Sequence, residues 1–383
     1  MNILIVTAYP PVLHMHGGGV RMYHNIRILA EKHDVRVISF VESEPERQLL
    51  RSLEPFCRSV AGVLRIPDFR PHWLSLRPFL AREFSTPAMY QAIDNVFRSV
   101  KVDVLQCEYL QMAQFRRPGV FTIWTAHEVL SANAYAEFQK AGEPVEKLKL
   151  YYRWMQMLRY EVLMSRRFNR VVTMTGNDAS YLRSYSPSLN VRPIPIGIDT
   201  AEFTPLAEEP NRPLEVLFVG NFRHHPNGEA AEFLIREIAP RFPEFSFVLP
   251  GANVPAHLLA CSNAAFPGYI PDTRLLYRRP NTIVAAPLFS GTGQRVKLLE
   301  AFAMQCPVIT TSVGALGFPV RDGHEALIAN NAEEFAGALT RLARSEELRR
   351  RIGACGREMI VRSFGWEHIG GQLCQVVEEA VSR

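Results

Sequence analysis

Short apolar runs rich in valine and isoleucine recur along the chain, separated by longer stretches whose apolar residues fall three or four apart. NILIVTA, VRVISFV, VDVLQC, VFTIWTA and RVVTMT lie in the first half; LEVLFVG, FSFVLPG, NTIVAAPL, PVITT and ALIA lie in the second. Near-continuous apolar runs of this length suit strands covered on both faces, and the helices between them supply the cover. The pattern occurs twice and predicts an α/β fold of two doubly wound domains. The break falls in PIPIGIDTAEFTPLAEEPNRPLEV, where four spaced prolines, Pro195, Pro205, Pro210 and Pro213, and a cluster of acids mark a linker. The expected domains are residues 1–196, rejoined by a C-terminal helical segment at 367–383, and residues 197–366. That last helix is expected over about Trp366 to Val381, long enough to pack across the junction.

In doubly wound sheets, ligands sit beyond the carboxyl ends of strands, at the loops that open helices. After the first strand, Gly17, Gly18 and Gly19 stand where the chain turns into an amphipathic helix. Their backbone N–H groups could approach a phosphate at the positive end of that helix, or the triplet could be a flexible turn. It is not GxGxxG and no acidic residue follows at the ribose-binding offset, which argues against a dinucleotide site. In TAHEVLS, His127 ends an apolar strand, where an imidazole can meet a sugar hydroxyl or an oxyanion, or be a structural histidine.

SGTGQRVKLLEAFAMQCPVITT, residues 290–311, concentrates the most chemistry. A helix starting near Gly293 would put Gly293, Lys297 and Glu300 on one face, with Arg295 in the first turn. Cations at a helix N-terminus oppose the dipole unless an anion sits there, and a diphosphate would resolve the conflict. Glu300 could then accept hydrogen bonds from vicinal ribose hydroxyls; the plainer reading is an exposed Lys297–Glu300 ion pair. VLFVGNFRHHPN, with Gly220 and Arg223, and SVGALGF add two further strand-end loops in the same half.

Composition narrows the class. With 47% hydrophobic and 21% charged residues in 383, the chain reads as an ordinary globular protein of two or three domains. No apolar run approaches the roughly 20 residues of a spanning helix. MNILIVTAYPP reads as a buried strand and not as a signal peptide. Six cysteines at 57, 107, 261, 306, 355 and 374 form no metal-binding spacing, which favours a reduced, cytoplasmic setting. The net charge of +5 is uneven: residues 1–200 hold 25 Lys and Arg against 18 Asp and Glu. Arginines interleave with aromatics in 69–84 and 153–170. In the second stretch Tyr151, Met155, Leu158 and Val162 share one helix face, which is either core-facing with a solvated arginine side or a contact for a membrane surface or anionic ligand. No nucleic-acid motif accompanies the charge.

Taken in order, YPPVLHMHGGGVRMYHNIRILAEKHDVRVISF, VDVLQCEYLQMA, TAHE, RVVTMTGNDASYL, PIPIGIDTAEF, LFVGNFRHHPN, the 290–318 stretch, DGHEALI and FGWEHIGGQL resemble glycosyltransferase family 4 along nearly the whole chain. The resemblance implies a GT-B fold, two Rossmann-like domains facing a central cleft, and retaining transfer from a nucleotide-diphosphate sugar without a cofactor or metal. It implies catalytic roles for His127, Arg223 and Lys297, and donor contacts from Gly18, Gly19, Gly220, Thr292, Gly293, Arg295, Lys297, Leu299 and Glu300. Glu300 would hold the ribose, Arg223, Arg295 and Lys297 the diphosphate, and His127 the transferred sugar near its anomeric centre. The family's carboxylate eight residues before Glu300 is Thr292 here, and Asn221 and Pro226 replace the usual Arg and Lys of the Gly220 loop. These departures resemble a branch with a GTGxRxK motif, in which Glu128 stands where asparagine is common.

The function expected is therefore transfer of a hexose to a glycan, a lipid-linked saccharide or a similar acceptor in surface polysaccharide or glycoconjugate assembly. The expected partners are a nucleotide-sugar donor and that acceptor, with the inner membrane face as a place of work and no nucleic acid. Two readings stay open: a sugar-nucleotide epimerase, and a catalytically silent sugar-nucleotide-binding or scaffold protein.

Overall fold

The computed structural model describes residues 1–13, 17–65, 75, 77–205, 213–278, 281–291 and 293–380. The chain forms two compact units, Met1–Ile196 with Glu367–Arg383, and Gly197–Trp366. Each is built on one wholly parallel sheet.

In the first unit the strands are β1 (Asn2–Thr7), β2 (Asp34–Val41), β3 (Ser59–Leu64), β4 (Val104–Glu108), β5 (Phe121–Ala126), β6 (Arg170–Thr173) and β7 (Val191–Pro193), in the order β3-β2-β1-β4-β5-β6-β7. In the second they are β8 (Glu215–Leu217), β9 (Ser246–Val248), β10 (Ala264–Ala265), β11 (Thr282–Ala286), β12 (Val308–Thr310) and β13 (Leu327–Ile328), ordered β10-β9-β8-β11-β12-β13. The doubly wound α/β architecture expected from the apolar runs is the one observed. Each order reverses once, between β1 and β4 and between β8 and β11, and a reversal of this kind opens a crevice at the carboxyl ends of the strands.

The continuous apolar runs work as the pattern required. Leu4, Val6, Leu105, Trp124 and Val171 lie in one core cluster, closed by Phe40, Phe84 and Phe115. Three strands escaped the pattern. β3 is an edge strand with most side chains half or fully exposed, β7 ends on a proline, and β10 has two residues. The C-terminal helix runs Trp366–Glu378 and packs in the first unit, where a Cβ on Gly370 would come 2.5 Å from Ile28 Cδ1. Glu379 just beyond it pairs with Arg170. Of the basic segment at 69–84, residues 69–74 and 76 lie outside the described residues.

In the second unit, β8 and β9 stay zipped past their formal ends: Gly220 N–H donates to Pro250 O at 3.1 Å and Phe222 N–H to Ala252 O at 2.9 Å. The ladder passes through Gly251, at φ +149°, where a Cβ would sit 1.6 Å from Gly220 O. Only glycine fits, since the backbone region and the space both exclude a side chain. Gly251→Ala is expected to cost about 3 kcal/mol or more in urea unfolding, because the clash must splay the β8 and β9 ends. A loss below about 1 kcal/mol would mean that this close approach does not hold the loop.

Candidate functional site

The first unit gathers its polar groups at the β1/β4 reversal. Gly17–Ala30 is a helix that begins with its three glycines, Gly18 half-buried and Gly19 buried. On its next turn Arg21 is wholly buried and donates from Nη2 to Ile194 O at 3.1 Å. Glu108 ends β4 and His127 follows β5; because these strands are neighbours, with Glu108 opposite Thr125, the two side chains meet. His127 Nε2 lies 2.6 Å from Glu108 Oε2, and Gln106 Nε2 donates to the other carboxylate oxygen.

Burial alone would raise the Glu108 carboxyl, but the His127 hydrogen bond and the charge of Arg21 hold it below its ordinary value. Burial pushes His127 down, with Glu108 opposing. The charge balance is therefore an ionised Glu108 set against Arg21, with a neutral His127 whose Nε2–H donates to the carboxylate. Nδ1 is left as the ring's lone-pair acceptor. Tyr109 stacks on that ring at 3.9 Å and 9°, and does so at φ 75°, a strained backbone for tyrosine. Glu128 accepts from Asn133 Nδ2 at 2.9 Å, and burial raises its carboxyl.

In the second unit the loops after β8 and β11 meet. The expected helix begins later than Gly293, at Val296, and runs to Ala303. Gly291 and Gly293 have φ of +99° and +78°, so the chain is still turning where the helix was expected to start. Arg295 is the N-cap residue and its side chain makes no capping bond. That guanidinium turns back instead, donating to Gly291 O at 2.7 Å and Ser290 O at 3.3 Å. Gly291 packs between Pro226 and Arg295, which joins the two loops.

Lys297 donates to Asn227 Oδ1 at 2.6 Å and sits 4.1 Å from the Phe218 ring centroid. Gly220 lies beside both, since a Cβ there would come 3.1 Å from Asn227 and 3.2 Å from Lys297 Nζ. The side chains of Thr273 and Tyr277 hydrogen-bond to Glu300, and Lys297 O lies 3.2 Å from Tyr277 Oη as the alternative acceptor for its one proton. The expected positions of this second unit thus fall into three groups. Gly220, Gly293, Arg295, Lys297 and Glu300 share one corner, and Arg223 stands on its rim with its side chain in solvent. Leu299 faces the core and its amide is bonded to Arg295 O at 3.1 Å, so it presents no group to a ligand. Thr292 lies outside the described residues.

Electrostatically the corner is strained by like charge. Burial and then Arg295 push Lys297 down to about 7, and burial with Lys297, Arg295 and His225 lowers His224. Burial lifts Glu300 to about 7, against its hydrogen bonds from Thr273 and Tyr277. A bound anion would relieve the cations, and a diol would suit the carboxylate.

Residues 213–345 match the family model for glycosyl transferases group 1. The matched segment contains every member of this second corner. Over its full length the chain resembles the MMP alpha-(1->4)-mannosyltransferase of Mycolicibacterium hassiacum, 23% identical with 99% of this chain and 98% of that one covered. It also resembles a phosphatidyl-myo-inositol mannosyltransferase of Mycobacterium leprae, 25% identical across 48% of this chain and 51% of the other. Among solved structures, sucrose-phosphate synthase from Thermosynechococcus elongatus superposes with a TM-score of 0.78 at 19% identity, each chain covered completely. Anabaena HepE in complex with UDP gives 0.70 at 14% identity, covering 99% of this chain and 100% of that one. These likenesses show the GT-B fold class.

The residues that sequence reasoning missed are Glu108, Tyr109, Asn227, Thr273 and Tyr277. Glu108 ends an apolar strand and Asn227 follows Pro226 at a helix start; both signals are local and faint.

Two outcomes follow. Glu108→Gln should lower the His127 titration midpoint read by NMR, because the anion that favours imidazolium is gone. It should also cost about 3–5 kcal/mol by leaving Arg21 buried without its counter-charge; an unmoved midpoint would show that the carboxylate does not govern the ring. In the second corner Lys297 is protonated below about 7 and Glu300 ionised above about 7. Affinity for a nucleoside diphosphate, measured by calorimetry, should therefore peak near pH 7 and fall on both sides, whereas a flat profile would mean that neither group titrates against the ligand.

Proposed function

We propose that the chain is a retaining glycosyltransferase that moves a hexose from a nucleotide-diphosphate sugar to a saccharide, a lipid-linked saccharide or a similar acceptor in surface-glycan assembly. The observation that carries this reading is the second corner: Arg295 and Lys297 crowded at a helix start with no side-chain cap, and Glu300 one turn further on. It lies within the segment matching glycosyl transferases group 1.

In this reading Arg295 and Lys297 hold the diphosphate, with Arg223 joining from the rim, and Glu300 accepts from the ribose hydroxyls. As the bond from the anomeric carbon to the phosphate oxygen breaks, negative charge grows on the leaving diphosphate, and the two cations stabilise it. The acceptor oxygen bonds to the anomeric carbon on the same face, and its proton passes to the departing phosphate oxygen. No protein nucleophile and no metal is assigned a step. His127 is assigned to the transferred sugar, accepting a hydroxyl hydrogen bond at Nδ1. The relatives named as mannosyltransferases and a neighbour solved with UDP make mannosyl and uridine donors the first to try. Among the described residues no helix is long and apolar enough to cross a membrane; we assign the work to the cytoplasm, at the inner membrane face when the acceptor is lipid-linked.

The test is thermal unfolding with UDP, GDP, ADP, CMP and dTDP, run beside Glu300→Ala. A ligand at about 100 times its Kd adds roughly 2.7 kcal/mol to the state that binds it, a shift of several degrees. One nucleotide should stabilise the parent and lose its effect in the variant. No response to any of them at millimolar concentration would sink the donor site and favour a silent scaffold.

A further inference from the structure

The helix Pro144–Ser165 has two apolar faces, one buried in the core and the other largely exposed. Met157 and Tyr160 turn inward and are buried, and so is Glu161, which accepts from the backbone N–H groups of Leu130 and Ser131, 3.1 Å each. Val145, Leu148, Tyr151, Tyr152 and Met155 point the other way and are 40–69% exposed. At 100° per residue these five fill one arc of about 120°, and they extend about 15 Å along the axis. Of the periodic set Tyr151, Met155, Leu158 and Val162, the first two are exposed and the last two half-buried, so only its N-terminal part is a solvent-facing stripe.

A surface helix ordinarily keeps that side polar. Here the apolar side is also held in place: Trp154 stacks on Phe138 at 5.8 Å, Tyr135 meets Trp154 tilted at 4.8 Å, and Tyr151 packs tilted on Phe138 at 5.6 Å, Tyr135 and Phe138 belonging to the helix Leu130–Lys140. Cations surround it. Lys147 and Lys149 flank the arc on either side, and Arg159 lies within its angular range one turn beyond Met155. Glu146 is the helix's one exposed acid, Glu161 being buried.

We propose that this face docks on an anionic lipid surface, the apolar stripe entering the headgroup boundary while Lys147, Lys149 and Arg159 meet lipid phosphates. Charge decides against a second copy of the chain. A two-fold contact would set the same cations of both copies against each other, whereas an anionic bilayer neutralises them. The proposal rests on this surface alone and is independent of which sugar, if any, the chain transfers.

The experiment is cosedimentation of the full chain with phosphatidylcholine vesicles, with and without phosphatidylglycerol, at rising salt. Binding should require the anionic lipid and weaken with salt. Leu148→Glu with Tyr152→Glu should cut the partition coefficient roughly tenfold or more, and Lys149→Ala about fivefold. Both changes fall on exposed side chains, so unfolding temperature and nucleotide response should stay at the parent's values. The proposal is overturned if the parent ignores anionic vesicles, or if binding survives the double substitution. It is equally overturned if sedimentation equilibrium shows a dimer that the same double substitution breaks while vesicles bind nothing.

Discussion

Like charges repel most where water is scarce, and the second unit places Arg295, Lys297 and His224 together at the ends of its central strands. Burial and mutual repulsion drive Lys297 down to about 7 and lower His224, so the cationic forms of these groups are disfavoured there. Much nearby architecture serves that crowding. The left-handed Gly291 and Gly293 swing Arg295 back onto carbonyls, Asn227 fixes Lys297, and the glycine pair at 220 and 251 lets the β8 and β9 ends approach closely enough to carry the loop. Each is a constraint on backbone shape imposed by where charge has to stand.

The first unit solves the opposite problem. Its buried charges are balanced: Glu108 faces Arg21 and holds His127, and Gln106 takes the second carboxylate oxygen. Such a group is rigid because removing any one partner leaves another desolvated and unpaired. The strained backbone of Tyr109 belongs to the same device, since it aims the ring flat against the imidazole. One unit thus sets its buried charges against each other, with Arg21 Nε and Nη1 and Gln106 Oε1 left without a hydrogen-bond partner, while the other crowds cations together.

The β1, β2, β4 and β5 strands were legible because strands buried on both faces must be continuously apolar. β3 was not, since an edge strand has no such requirement, and its Gly62 packs close to Arg47 and Leu50. The cations and Glu300 were legible as a pattern, but the helix start was misplaced by three residues, because nothing local distinguishes a glycine that opens a helix from one still at positive φ. Glu108 was invisible for another reason: its partnership depends on β4 lying beside β5, 19 residues away in sequence. The stripe at Tyr151 and Met155 shows the limit of periodicity, which marks a face without saying whether protein or solvent covers it.

The uncapped start of the helix Val296–Ala303 carries a consequence for its dynamics. The Leu298 and Leu299 amides are tied to Arg295 O, at 3.0 and 3.1 Å, while Val296 and Lys297 precede the first intrahelical bond and receive no side-chain cap. A helix in this condition frays from its first turn, and on the donor-site reading proposed above a bound anion would stop the fraying. Occupancy would then be written into amide hydrogen exchange: the turn from Val296 would slow when the ligand binds, while the buried strands β11 and β12 behind it would keep their pace.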